Sequence, residues 1–235
     1  MKATCVKFIV SKEIFERYPD AVIGVVVAKN INNAGSSDEI QKMLEHEQER
    51  IRNDFNLENL AQNLFIQNWR KAYKLFGSDE RCSSERLIRR ALKGEQLPSV
   101  NKLVDIYNQI SLKYRTPVGG EDIDNLKGNV YLRFATGKET FVAIGSRELQ
   151  NIKEGEVIYA DEKEVICRRW NLKESDNTKL TEQTKNAFLV IDALPPVLKV
   201  TVQEANEELA SLVSRHCGAK TSSFIIDRTS TEIEL

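Results

Sequence analysis

The chain reads as an α+β protein in which helices pack on a mixed, largely antiparallel sheet. Three features predict this class. Helical periodicities gather between residues 34 and 96, and a nearly continuous β-branched run, AVIGVVVAKN, starts at Ala21. Beyond the middle of the chain, short apolar segments follow one another at hairpin-like spacing: NVYLRFA, ETFVAIG, VIYAD, EVICRRW and AFLVIDA. Gly128, Gly137, Gly145 and Gly155 punctuate them. Period-two apolar segments separated by glycine pair with their sequence neighbours, which makes an antiparallel sheet.

In chain order, Thr4 to Val10 is an expected strand and Ser11 to Arg17 a short helix that stops before Pro19. The run from Ala21 lacks polar alternation, as in a strand buried on both faces. Ser36 and Glu39 form a capping box for a helix reaching about Phe55. A second long helix is expected from Asn56 to Phe76 and a third from Ser84 to Lys93, closed by Gly77 and Gly94. His46, amid Glu45, Glu47 and Glu49, reads as a solvated helix-face histidine. Thr201 and Glu204 cap a last helix ending at Gly218, with His216 at its C-terminus. SSFIID returns as a strand, and residues 228–235 read as a flexible tail of a single unit spanning 1–235.

Composition sets limits on function. The 235 residues are 41% hydrophobic, enough for a sizeable core, and 34 basic against 35 acidic side chains give a net charge of −1. Such a chain does not attract nucleic acid as a whole, so any RNA contact must be local. From Arg70 to Lys93 there are eight basic residues against three acidic ones, and Arg86, Arg89, Arg90 and Lys93 share a helix face. These four are the candidates for a phosphate-contacting patch. Cys5, Cys82, Cys167 and Cys217 form no CxxC pair and lack a histidine at metal spacing, so reduced thiols and no metal or cofactor are expected. No stretch approaches a membrane span, and the N-terminus lacks a signal sequence, which predicts a cytoplasmic protein.

Two landmarks carry candidate chemistry. The first is LPSVNKLVDIYNQISLKYRTPVGGEDID, from Leu97 to Asp124. Ser99 is an expected N-cap, Val100, Leu103, Val104 and Tyr107 a buried stripe, and Asp105 and Asn108 share a neighbouring face. The Gly119-Gly120 pair predicts a turn with positive φ that lets a backbone or a ligand come close, with Glu121 and Asp122 behind it. The second landmark is Cys167-Arg168-Arg169-Trp170-Asn171. Successive arginines on a strand point to opposite faces, arginine offers a fork for carboxylate or phosphate, and Trp170 offers a stacking surface. An inward arginine paired with Glu121, Asp122 or Asp161, and a core tryptophan, explain the same residues structurally. Cys167 beside two arginines has the neighbours of an activated thiol, but no histidine lies near it in sequence.

PSVNKLVDIYNQISLKYRTPVGGEDIDNLKG, with YLRFATGKE, GEVIYADEKEVICRRWN and TKLTEQTKNAFLVIDA, resembles the editing domain of the phenylalanyl-tRNA synthetase beta subunit. The resemblance covers residues 97–194, and the whole chain is similar to free-standing proteins that carry this domain alone, rather than to a complete synthetase. It implies the fold expected above and a tRNA or aminoacyl-tRNA partner, with no membrane or DNA partner. The implied activity is hydrolysis, in trans, of the ester joining a wrong amino acid to tRNA, an aminoacyl-tRNA deacylase. Two alternatives stand beside it: a non-catalytic tRNA-binding or regulatory module, and a binder of a free amino acid or other small carboxylate.

The residues transfer one at a time. Asn108 matches the family's helix asparagine, Tyr107 stands where the family has threonine, and Gly119 stands where it has a histidine that helps recognise the amino acid. Arg168 to Asn171 replace the family's glycine-rich loop, with Glu174 nearest its glutamate. The resemblance therefore implies Asn108, Glu121 and Glu174 as catalytic, holding or orienting water. Tyr107, Gly119, Gly120, Arg168, Arg169, Trp170 and Asn171 are implied as substrate-binding, the glycine amides facing the oxyanion. Arg86, Arg89, Arg90 and Lys93 remain the tRNA-backbone candidates.

Overall fold

Strand β2 (Val22–Lys29) is central, buried on both faces as its unbroken apolar run predicts. Alternate residues serve two cores. Ile23, Val25 and Val27 point into one, and Val22, Val26 and Ala28 into the other. The computed structural model describes residues 6–235. Thr4 and Cys5, assigned above to the first strand and to the thiols, lie outside the described residues.

The first core lies between two sheets. One has four strands, β11 (Lys220–Ile226), β2, β10 (Asn186–Ala193) and β3 (Val118–Asp122), in that order and all antiparallel. The other has six, β12 (Glu232–Glu234), β1 (Lys7–Val10), β4 (Val130–Phe134), β7 (Val157–Ala160), β8 (Val165–Arg168) and β9 (Lys173–Glu174). Among the described residues, only β1 and β4 pair in parallel. Phe8, Leu132, Tyr159, Phe188 and Val190 fill the space between the sheets, capped by α1 (Lys12–Arg17). Each such side chain contributes about 1.5–3 kcal/mol through burial.

The second core packs helices α5 (Lys102–Tyr114) and α6 (Lys199–Cys217) on the outer face of the four-stranded sheet. Helices α2 (Asp38–Asp54), α3 (Leu64–Leu75) and α4 (Ser83–Leu92) form a third cluster around Ile51, Phe65, Ile66 and Ile88. A hairpin of β5 (Thr140–Val142) and β6 (Leu149–Asn151) covers the outer side of β7 and β8 through Phe141. The fold is thus α+β with antiparallel-dominated sheets, as the segment pattern predicts.

Several local expectations are corrected. Pro117 to Gly120 is not a turn: Val118–Asp122 is an edge strand, and neither Gly119 nor Gly120 has positive φ. The reversal comes earlier, at Arg115, which caps α5 in the left-handed region at φ 59°. The N-cap of α5 is Asn101, which accepts from Val104 N–H at 3.1 Å, while Ser99 instead donates to Asp105. Val100 falls outside the helix and is 57% exposed. Ser37, not Ser36, caps α2. The helix expected over 56–76 breaks into a short 3-10 turn at Leu60–Gln62 and α3. Helix α6 begins before Thr201, at Lys199. The expected flexible tail pairs through β12 with β1, a non-local contact that no local pattern announces.

The basic segment 70–93 is organised by one carboxylate. Glu85 is fully buried, accepts from Arg70 Nη2 at 2.6 Å and Arg89 Nε at 2.9 Å, and pairs with Arg81 at 3.1 Å. Burial alone raises its pKa, but the Arg70 and Arg89 hydrogen bonds outweigh burial and leave it lowered. Glu85→Gln, which removes the charge and keeps the shape, is expected to cost about 2–3 kcal/mol in urea unfolding at pH 7, with an unchanged denaturant slope.

Candidate functional site

Where the edge strand β3 meets α4, α5 and β9, the chain encloses a cleft of about 640 Å³. That is the size of a small-molecule site. Its position follows from α5. The helix reverses at Arg115, Ser111 Oγ donates to Thr116 O at 2.7 Å, and Thr116 Oγ1 donates to the Asp192 carbonyl. These bonds lay β3 along β10 with Gly119 opposite Val190 and Gly120 opposite Leu189.

The two glycines do different jobs. A Cβ on Gly120 would overlap Leu189 Cδ2 and stand 2.9 Å from the Phe188 carbonyl, so only glycine allows this approach. A Cβ on Gly119 would face the cleft, 3.1 Å from Glu174 Oε1, and its absence keeps the space open. Asp192 N–H donates to Pro117 O, and antiparallel alternation then turns the Gly119 amide towards β10 and the Gly120 amide away from it. Of the two expected oxyanion donors, Gly120 alone has a free direction.

Side chains of period two put Gly119 and Glu121 on one face, so Glu121 joins Glu174 at the cleft. Glu121 is 4% exposed, and its Oε2 has no hydrogen-bond partner. Burial, and then the charge of Glu174, push its pKa well above the carboxylate range, against a smaller opposing effect of the Thr178 hydroxyl. Burial raises Glu174 from 4.5 to about 7. Like charges in one site do not ionise together at neutral pH, so the pair holds a proton between them. Tyr107 and Asn108 line the same cleft from α5. Burial, Glu174 and Glu121 raise the Tyr107 phenol well above its ordinary value, so it stays protonated.

The Arg168 to Asn171 landmark is corrected in most particulars. Arg168 is buried, bonded through Nε and Nη2 to both Glu156 oxygens at 2.9 Å and through Nη1 to Gln150 at 3.0 Å. Its partner is Glu156, not Glu121, Asp122 or Asp161. Arg169 pairs with Glu80 at 2.5 Å, and neither arginine lines the cleft. Arg169 and Trp170 both take left-handed backbone, φ 52° and 61°, which swings Trp170 into the core. Trp170 is 1% exposed, with the rings of Tyr18 and Trp69 at 4.8 and 5.0 Å, so its faces are not offered to a base. Both ends of the Asn171 amide are engaged, accepting from Tyr73 at 2.9 Å and donating to Asp192 at 3.2 Å. These bonds fix the orientation of Asn171, which lines the cleft and keeps a second N–H and a second lone pair. The Cys167 thiol is buried, which pushes its pKa well above the ordinary value, as do Glu174 and Glu121; a thiolate is disfavoured there.

The cleft's arginines come from α4 instead. Arg86 and Arg90 line it with Ser83 and Leu87, pairing with Glu80 and Glu95 respectively. Arg89 is turned to Glu85, and Lys93 lies outside the cleft, 3.9 Å from Glu95. The basic helix and the Gly-Gly strand therefore share one surface. Sequence reasoning missed Tyr159, Asp192 and Ile144. Asp192 is 2% exposed, accepts from Tyr159 at 2.6 Å, and is raised by burial to about 6 although hydrogen bonds hold it down. A lone aspartate inside AFLVIDA was the available signal, since an unpaired charge is rarely buried without purpose.

The molecule is an α+β domain with a carboxylate-floored, arginine-edged cleft beside its sheet edge. The family model of the B3/4 domain matches residues 68–218, more than half of the chain and every residue of the cleft named above, and the chain belongs to that family. It is 27% identical over 109 residues to the phenylalanine–tRNA ligase beta subunit of Fusobacterium nucleatum, covering 46% of this chain and 13% of that one. It is 30% identical over 98 residues to that of Idiomarina loihiensis, covering 42% and 12%. The chain thus spans only about an eighth of the length of these curated relatives. An N-terminal fragment of the phenylalanyl-tRNA synthetase beta subunit from Pyrococcus horikoshii shares the fold, with a TM-score of 0.50 and 16% identity over 100% of this chain and 55% of that one. No helix among the described residues is long and apolar enough to cross a membrane.

The raised carboxyls have a cost with a definite sign. An unfolded glutamate ionises near pH 4.5, while folded Glu174 holds its proton to about 7, so stability from this group is full below 4.5 and is lost as pH rises towards 7. Glu174→Gln is therefore expected to be more stable than the wild type at pH 8, by about 1–3 kcal/mol, and to converge with it at pH 4.5 in thermal melts at the two pH values.

Proposed function

We propose that this chain binds tRNA or aminoacyl-tRNA in the cytosol and hydrolyses the ester of a mischarged amino acid in trans. One observation carries the reading: Arg86 and Arg90 edge the same cleft that holds Asn108, Gly120, Glu121 and Glu174. An aminoacylated 3′ end has phosphate on one side of its ester and an amino acid on the other. The arginines suit the phosphate, and the space opened by Gly119 suits the amino acid. A free carboxylate ligand is a poorer match, because the carboxylates of the floor repel it.

An ester is already activated, so hydrolysis requires positioning and charge stabilisation rather than a protein nucleophile. Asn108 holds the attacking water. Glu174, with a pKa near neutrality, takes a proton from it as the oxygen bonds to the carbonyl carbon. The Gly120 amide faces the developing oxyanion, the bond between the acyl carbon and the ribose oxygen breaks, and the proton passes to that ribose oxygen. Before a cation or water enters, Glu121 and Glu174 share one proton, which keeps the pair from carrying two charges. The helical part, 34–96, and the part from 97 to 194 work as one unit here, since α4 and β3 each supply a wall.

Deacylation of a panel of correct and mischarged aminoacyl-tRNAs tests the reading. Release from one mischarged species is expected, falling at least about 100-fold in Glu174→Gln. Its rate is expected to rise with pH up to about 7, as Glu174 loses its proton. Release that is unchanged in both Glu174→Gln and Asn108→Ala would remove the mechanism, and binding without release would leave a tRNA-binding module. In a filter-binding titration, Arg86→Ala with Arg90→Ala is expected to weaken tRNA and lower the log–log salt slope by about 1.5–2.

A further inference from the structure

We propose that the deep end of the cleft is a site for a cationic side chain, so that the aminoacyl groups it admits are of the lysine class, with a primary ammonium on a flexible stem. This rests on reading the cleft as an aminoacyl site and names the class of amino acid it takes. Two separate strands deliver the acceptors, Glu121 from β3 and Glu174 from β9, while Asp192 of β10 is already engaged by Tyr159 and Asn171. No lysine or arginine forms an ion pair with Glu121 or Glu174 among the described residues. The cleft's cations sit elsewhere on its wall, Arg86 with Glu80 and Arg90 with Glu95, while Lys173 points from β9 without pairing to the floor.

The decisive atom is Glu121 Oε2, nine-tenths buried and more, on the cleft face, with no hydrogen-bond partner. The Thr178 hydroxyl is near enough to Glu121 to lower its pKa as a hydrogen-bonding neighbour, yet it falls short of normal hydrogen-bond geometry and leaves both itself and Oε2 unsatisfied. A buried oxygen left in that state is costly, so the occupant of this space is a donor. An apolar side chain supplies none and buries the atom further. A hydroxyl supplies one hydrogen bond and no charge. An ammonium supplies three donors and a full charge, enough to bridge Glu121 and Glu174 together. The path to them is open because residue 119 has no side chain: a Cβ there would lie 3.1 Å from Glu174 Oε1. The α-ammonium of an aminoacyl ester lies next to the scissile carbonyl and remains with it near Gly120, which leaves the deeper acceptors to the side chain.

Calorimetric titration of the full chain with L-lysinamide, L-norleucinamide and Nε-acetyl-L-lysinamide tests this without tRNA and without hydrolysis. The three share the α-amine and the stem and differ in the terminal charge. L-lysinamide is expected to bind about 10- to 100-fold more tightly than either of the others, and Glu121→Gln to reduce that preference towards unity. Equal affinities, tighter binding of norleucinamide, or no binding of lysinamide would overturn the proposal. Because the acetylated ligand removes the charge from the probe, the comparison on the wild-type chain holds whether or not the variant folds. A lysinamide preference with no deacylation would sink the hydrolase reading alone; deacylation with no such preference would sink this inference alone.

Discussion

The close contact of β3 with β10 sets everything at the cleft. A strand lying with Gly120 against Leu189 and the Phe188 carbonyl holds its neighbours at fixed heights, and alternation then aims Gly119 and Glu121 at one side. With any larger residue at 120, β3 would stand off, and Glu121 would move relative to Glu174. The glycine pair acts through closeness rather than through the positive φ that glycine also permits. The same contact explains why the reversal sits at Arg115: the helix must end before the strand can be pressed flat.

The molecule holds carboxylates in two opposite electrostatic settings. Glu85, sunk among Arg70, Arg81 and Arg89, has its charge matched and its pKa lowered. Glu121 is buried and Glu174 half-buried beside it, with no basic partner among the described residues, and theirs are raised. One kind of burial stabilises a surface and the other strains a cavity. Unpartnered carboxyls in a cleft have a charge or a donor still to be supplied, and this supports the proposed reading of the floor. The network of Tyr73, Asn171, Asp192 and Tyr159 behind it holds the wall in one arrangement through side-chain hydrogen bonds.

Family membership and fold fit this arrangement, with local departures. The B3/4 match takes in α4 and most of α3 as well as the segment from Leu97, so the basic helix belongs to the matched unit. The arginines that face the cleft come from that helix, while the paired arginines after Cys167, the more conspicuous motif, stabilise the structure through Glu156 and Glu80.

What the sequence by itself determined is what depends on neighbours along the chain. The β-branched run of β2, the amphipathic α5, the basic face of α4 and the strand-rich second half are written in periodicity, and periodicity follows from local backbone geometry. Glu121 and Glu174 were visible as candidates through resemblance and their setting. The tertiary structure alone decided which groups share a surface. It paired Arg168 with Glu156 across two strands, buried Trp170 between Tyr18 and Trp69, and recruited residues 232–234 to β1. It also brought Arg86 and Arg90 to the cleft and left Glu121 Oε2 without a partner. Long-range contacts choose among many partners of equal local merit, and only the packed chain makes that choice.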